Sequence, residues 1–216
     1  MDVAHDLASR GAPAGTVVLA DAQTEGRGRS GHSWVSAPLD GLWLTLVERP
    51  ADVSGIDVLS LRLGVRLSQV LEPFADAPIL VKWPNDLYLG ARKLAGILVE
   101  VRWRAGSAEW CAVGVGVNMR APAGVNAAAL RDGVERAELF RAIVAAARES
   151  VAARGALTEA ELQRFARRDA ARGRRCTAPG VGIVAGISST GALVIATDHG
   201  PEHFRSGSLA FAGESP

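Results

Sequence analysis

Apolar residues recur along this chain with two different spacings, which predict where helices and strands lie. Helical spacing predicts four helices: a first one ended by Gly11 and Pro13, one through 58–74, one from about Val134 to Arg154, and one from Thr158 to about Ala170. β-Branched or alternating runs predict strands at 16–21, 42–48, 79–83, 93–103 and 110–119, the last two joined as a hairpin by RAGSA. Ser54 with Asp57 predicts a cap for the second helix, and Thr158 with Glu161 predicts a capping box.

The pattern changes after the segment ARGRR. Between Cys176 and Phe211 the chain has no helical spacing, only short β-like runs separated by Gly and Ser-Thr-Gly. We therefore predict two domains, 1–172 and 173–216, with the boundary near Arg172–Arg175. The second is expected to be a small barrel-like β domain.

Composition excludes several classes of protein. The chain has 216 residues, 48% of them hydrophobic and 22% charged, as is ordinary for a soluble globular protein. Its net charge of +1 gives no overall basic field for nucleic acid or an anionic membrane. It contains no long uncharged apolar run and no signal-peptide pattern, and its two cysteines fit no metal or redox spacing. We expect a cytoplasmic protein that binds neither membrane nor nucleic acid.

The loop GRGRSGHSW, residues 26–34, follows the first strand. Its glycines allow the backbone to approach a ligand closely, and Arg27 and Arg29 carry planar cations suited to carboxylate and phosphate oxygens. A flexible basic surface loop is the alternative, and the loop alone does not decide between them.

Two further segments contain residues that could contribute to a site. In VKWPNDLYLGARKLAGILVE, residues 81–100, Asn85 and Asp86 supply acceptors in a turn, and Gly96 interrupts a strand. In VGVGVNM, residues 113–119, alternation places two glycines and Asn118 on one face, where a flat ligand or a tightly packed helix could lie. The chain has no G-x-S-x-G, H-E-x-x-H, P-loop or C-x-x-C motif, so nucleophilic catalysis by the protein and zinc chemistry are not expected.

These three segments, in this order and spacing, resemble the biotin protein ligases, also called biotin–[acetyl-CoA-carboxylase] ligases. The resemblance covers roughly residues 11–120 and rests on GRGRSGHSW, KWPND with KLAGILVE, and VGVGVNM. It implies an α+β fold: a mixed β-sheet with helices on one side, like the class II aminoacyl-tRNA synthetases, plus a small C-terminal SH3-like β-barrel. It also implies that ATP activates biotin to biotinyl-5′-AMP, from which biotin passes to a lysine of a biotin carboxyl carrier domain.

The resemblance also implies roles for individual residues. Lys93 and Arg27 are the expected catalytic groups, and Mg²⁺ on the phosphates is expected to contact Asp86. The expected biotin-binding residues are Gln23, Arg27, Gly28, Arg29, Lys93 and Gly96. The expected ATP- and adenylate-binding residues are Arg27, Arg29, Trp34, Asn85 and Asn118.

The sequence departs from the family pattern in two places. The usual Arg-Arg-Gly-Arg run is RSGHS here, so the loop is less basic. Family members also place a Ser-Thr segment at the end of an initial strand, whereas this chain begins at Met1 inside the helix that follows it. We therefore expect a start upstream, with one strand and part of the biotin pocket lacking, and the form without an N-terminal DNA-binding domain.

Three alternatives stay open at this point. A lipoate-type protein ligase shares the fold but is expected to carry a Gly-Gly-Gly loop and not KWPND. An RNA-binding module would use GRGR and the nearby tryptophans, although the low net charge opposes it. A catalytically impaired, truncated ligand-binding form is the third, and a homodimer is also left open.

Overall fold

A six-stranded sheet forms the larger part of the protein in the computed structural model, which describes residues 1–212 apart from the side chain of Ser30. Its strands are β1 Thr16–Ala20, β2 Gly41–Glu48, β3 Ile79–Lys82, β4 Asp86–Leu89, β5 Arg92–Arg104 and β6 Ser107–Asn118. They lie in the order β1-β2-β6-β5-β4-β3, and every ladder between them is antiparallel. Four helices accompany the sheet: α1 Asp2–Ser9, α2 Leu59–Val70, α3 Arg136–Ala152 and α4 Glu159–Arg168.

The two faces of this sheet are different because side chains alternate along each strand. On one face Leu44, Val115 and Ile97 belong to the main hydrophobic core, against which α2, α3 and α4 pack. On the other face α1 covers only one end of the sheet, where Ala4 and Trp110 pack in a smaller cluster. The rest of that second face is not covered by a helix of the described chain.

A second, five-stranded sheet follows α4. Its strands are β7 Arg175–Ala178, β8 Gly182–Ile187, β9 Leu193–Thr197, β10 Gly200–Phe204 and β11 Ala210–Phe211, in the order β10-β9-β8-β7-β11. Val184 and Ile195 belong to the same core cluster as the first sheet, and Trp83 Nε1 donates a hydrogen bond to the Gly191 carbonyl at 3.0 Å. The two sheets therefore pack together, while the division into domains 1–172 and 173–216 stays a prediction.

Most sequence predictions agree with these elements. The α+β fold is confirmed, and so are the β5–β6 hairpin and the capping box, in which Thr158 Oγ1 accepts from Glu161 N. The cap at Ser54 is wrong: α2 begins at Leu59 without a side-chain cap, and Ser54 Oγ accepts from Gly155 N at 2.9 Å instead of from an N–H group of the helix. Strand β4 was missed, since its four residues directly follow a turn.

Candidate active site

A cavity of about 700 Å³ opens on the face of the first sheet that lies opposite to α2, α3 and α4. The loop 26–34, strands β2, β5 and β6, the turn after β3, and Ser208 and Leu209 of the C-terminal segment line it. Its size is typical of a small-molecule site. The first sheet, the segment before β11 and all three motifs of the sequence therefore contribute to one concave surface.

The floor of the cavity is a pair of glycines covered by an indole ring. Gly96 of β5 lies opposite Gly116 of β6, and the ring of Trp34 lies over both. A Cβ atom at Gly116 would stand 3.0 Å from Trp34 Cε2, and one at Gly96 would stand 3.0 Å from Trp34 Cζ3. Only glycine leaves the ring this room, so the flat group on this face is the protein's own side chain.

Lys93 brings a fixed cation to the edge of this floor. Its Nζ lies 2.8 Å from Asp86 Oδ1 and 5.1 Å from the centroid of the Trp34 ring. Asp86 is held beside it because Asp86 pairs with Gly96 in the β4–β5 ladder. The ion pair orients the ammonium group of Lys93 towards the aromatic ring.

The loop 26–34 folds back on itself above the cavity. Gly28 N donates to the His32 carbonyl and Trp34 N donates to the Gly26 carbonyl, both at 2.7 Å. A Cβ atom at Gly26 would lie 2.3 Å from the Trp34 carbonyl oxygen, so this close approach requires glycine. These bonds direct the Trp34 side chain inward.

The two loop arginines have different surroundings. Arg27 Nη1 lies 2.5 Å from Asp2 Oδ1 and its Nη2 lies 3.1 Å from Glu100 Oε2. The hydrogen bond from Arg27 lowers the pKa of the Asp2 carboxyl below its usual range. The side chain of Arg29 forms no ion pair or hydrogen bond with a residue that the structure describes, although Arg29 lines the cavity.

Of the remaining predicted site residues, Gln23 and Asn85 line the cavity and Asn118 lies outside it. Gln23 lines the cavity and its Nε2 donates to Ser36 Oγ at 2.9 Å, while Asn85 lines it and donates to the Ile97 carbonyl at 2.7 Å. Asn118 does not line the cavity. Its amide donates to the Ala128 carbonyl at 3.0 Å, which fastens the chain after β6 beside the sheet.

Several cavity residues were not predicted from the sequence. Trp43 of β2 pairs with Gly116, and its buried Nε1 has no partner among the described residues; Trp34 Nε1 is in the same situation. Lys82 lines the cavity with its Nζ about 5 Å from the rings of Tyr88 and Phe211. Lys82 could have been predicted from the sequence, because it is the first residue of the KWPND motif. The position of Trp43 depends on the strand register, which the sequence does not reveal.

Among residues 1–212 the structure shows neither a cluster of metal ligands nor a membrane-spanning helix. No group of three or more His, Cys, Asp or Glu side chains within the described part of the chain could hold a metal ion. None of its helices has the length and apolar character needed to cross a membrane.

Fold and site together define an α+β domain with a cavity of small-molecule size, in which Lys93 lies beside an indole ring that covers two glycines. The model of the biotin/lipoate A/B protein ligase family matches residues 2–118, and the chain belongs to this family. It is 42% identical over 109 residues to the bifunctional ligase/repressor BirA of Escherichia coli and 38% identical over 111 residues to the biotin–[acetyl-CoA-carboxylase] ligase of Paracoccus denitrificans. These matches cover 49% and 47% of this chain but only 33% and 43% of the relatives, so the chain matches less than half of their length.

A solved structure matches nearly the whole chain. The biotin protein ligase of Aquifex aeolicus, in complex with biotin and ATP, superimposes with a TM-score of 0.76 at 26% identity. The match covers 95% of this chain and 92% of that one. The C-terminal sheet is therefore part of the shared architecture.

Proposed function

We propose that the protein activates biotin with ATP to biotinyl-5′-AMP and then transfers biotin to a lysine of a biotin carboxyl carrier domain. One observation carries this proposal. The three family motifs, which are far apart in sequence, meet around the ring of Trp34: the loop supplies Trp34, KLAG supplies Lys93 and Gly96, and VGVGVNM supplies Gly116.

The difficulty of the first step is electrostatic. The biotin carboxylate is ionised at neutral pH, so it needs no general base, but it must approach the α-phosphate of a polyanion. Its oxygen forms the new bond to phosphorus while the bond to pyrophosphate breaks. Lys93, fixed by Asp86 at 2.8 Å, and Arg29, which faces the cavity, are the cations assigned to this junction.

The nucleotide and biotin are assigned to different parts of the cavity. Trp34 is assigned to the adenine, with Asn85 on the nucleotide side and Asn118 supporting the pocket from the end of β6. Gln23 and the backbone of Gly28 are assigned to biotin, because both line the cavity next to the loop. All of these groups come from one chain, so the proposal needs no second copy.

The residues present fit Mg²⁺ held mainly by phosphate oxygens. Mg²⁺ in nucleotide sites usually binds one or two carboxylates, and Asp86 is a carboxylate on the cavity wall beside Lys93. Bound there, the ion would neutralise phosphate charge. Asp86 would then serve both the ion and the ammonium of Lys93.

The second step needs protection from water. The amine of the carrier lysine attacks the acyl carbon of the mixed anhydride, and AMP leaves. Before that attack, the loop 26–34 above the cavity keeps water from the anhydride. Its internal hydrogen bonds at Gly26 and Gly28 fold the loop back on itself above the cavity.

Intact mass of an isolated carrier domain tests the proposal. After incubation with this protein, ATP, Mg²⁺ and biotin, we expect one biotinyl group on the carrier, and none when lipoate replaces biotin. Lipoyl transfer in place of biotinyl transfer would identify a lipoate-type ligase. Tight biotin binding without any transfer would identify a ligand-binding form.

A further inference from the structure

Arg27 lies in the loop predicted to hold the anionic ligand, yet its guanidinium group is already occupied by two carboxylates. It bridges Asp2, the first residue of α1, and Glu100, near the middle of β5. The loop is thereby tied to a helix and to a strand that do not belong to it. Arg29, two residues further on, has no such tie and lines the cavity.

Glu100 is itself fixed from its other side. His5 Nε2 lies 2.7 Å from the same Glu100 oxygen that Arg27 contacts, and the buried Trp110 donates its Nε1 hydrogen to His5 Nδ1 at 3.0 Å. Since Nδ1 accepts from Trp110, a neutral His5 carries its proton on Nε2 and donates it to Glu100. Hydrogen bonds therefore converge on the Glu100 carboxylate from two sides, from the protein interior through Trp110 and His5 and from the loop through Arg27.

The charge of Glu100 depends on these partners. Burial raises the pKa of its carboxyl, but the hydrogen bonds from Arg27 and His5 outweigh burial and bring the pKa below its usual value. If Arg27 turned into the cavity to meet a ligand, the Glu100 carboxyl would lose its guanidinium partner and would keep only the hydrogen bond from His5. That loss opposes a direct role of Arg27 on the ligand.

We propose that Arg27 anchors the loop 26–34 and that Glu100 is its positioning residue, which leaves the ligand contact to Arg29 as assigned above. The role of Arg29 rests on the proposed function. The anchor belongs to the protein without ligand and can be tested without any activity.

Limited trypsin digestion of the ligand-free protein tests the anchor, with cleavage after Arg29 followed by mass spectrometry. Glu100→Gln keeps the shape of the side chain but removes its charge, and we expect cleavage about fivefold faster than in the wild type. Glu109→Gln is the matched control, because Glu109 pairs with the exposed Arg104 at the far end of the β5–β6 hairpin. Equal cleavage rates in wild type and Glu100→Gln would overturn the anchor.

Kinetics of biotin-dependent ATP–pyrophosphate exchange separate the two arginines. Glu100→Gln should raise the KM for ATP in the wild-type background and change nothing further in the Arg27→Ala background, since Glu100 acts through Arg27. Arg27→Ala should mainly raise KM, whereas Arg29→Ala should lower kcat. A fall in kcat for Arg27→Ala as large as that for Arg29→Ala would overturn the assignment. Absence of exchange in every variant, together with the expected digestion result, would reject the proposed function and leave the anchor standing.

Discussion

Gly116→Ala is the smallest change that tests whether the floor of the cavity works as described. The added Cβ would lie 3.0 Å from Trp34 Cε2 and 3.1 Å from Cζ2 and Nε1. Carbon atoms pack best at about 3.5–4.0 Å, so three atoms of one rigid ring would be too close. Either the ring or the strand must move, and overpacking of this kind costs about 1–3 kcal/mol. If this energy is lost from the conformation in which Trp34 binds the nucleotide, the affinity for the nucleotide drops about fivefold to 100-fold.

Gly114→Ala provides the control for this substitution. Gly114 lies on the same strand and the same face, but its Cβ would meet Met1 Sδ at 2.9 Å, at the end of a flexible side chain that can turn away. The assay is the KM for ATP in biotin-dependent pyrophosphate exchange, with urea unfolding to verify that each variant is folded. We expect a raised KM for Gly116→Ala alone. Equal KM values for the two variants would show that the contact between Trp34 and Gly116 does not position the nucleotide.

Three further predictions follow from other parts of the structure. Lys93→Ala should lower the rate of adenylate formation about 100- to 1000-fold without unfolding the protein, measured by single-turnover kinetics; an unchanged rate would remove Lys93 from the mechanism. Glu161→Gln should lower the free energy of unfolding in urea at pH 7 by about 3 kcal/mol, because it leaves Arg62, which is only 3% exposed, without its carboxylate partner. The control Glu159→Gln, at an exposed position, should change the free energy of unfolding little. Burial raises the pKa of Glu161, but Arg62 and the backbone of Thr158 lower it below its usual value. Glu161 should therefore contribute its full stabilisation above a pH of about 4.3, and this contribution should decline as the pH falls through the lowered pKa of the folded protein. A difference in unfolding free energy between wild type and Glu161→Gln that grew on acidification would contradict this. Cys111 should not react with a thiol reagent at pH 8 in the native protein, because burial and the nearby Glu48 raise its pKa to about 11; fast labelling would contradict this.

The sequence predicted the framework well because its signals are local. Strict alternation in β6 and the short turn before it indicate the hairpin, and Thr158 with Glu161 indicates where α4 begins. The cap at Ser54 failed because the serine oxygen accepts from Gly155 N, a residue far away in the sequence. A local pattern does not reveal a partner of this kind.

The prediction of the site was incomplete for a different reason. Motif residues such as Lys93 and Trp34 were identified, but the residues that position them depend on register and packing. Glu100 reaches Arg27 because of its place along β5, and His5 reaches Glu100 only because α1 packs across the end of the sheet. Similarly, the glycine face of β6 was predicted, while the side chain that covers it comes from a loop distant in sequence.

Biotin-dependent exchange of labelled pyrophosphate into ATP tests the central claim most directly, because it reports adenylate formation without a carrier protein. The proposed function predicts exchange that requires biotin and that falls about 100- to 1000-fold in Lys93→Ala. Absence of exchange from folded wild-type protein, or exchange that proceeds equally without biotin, would contradict the proposal that this cavity activates biotin.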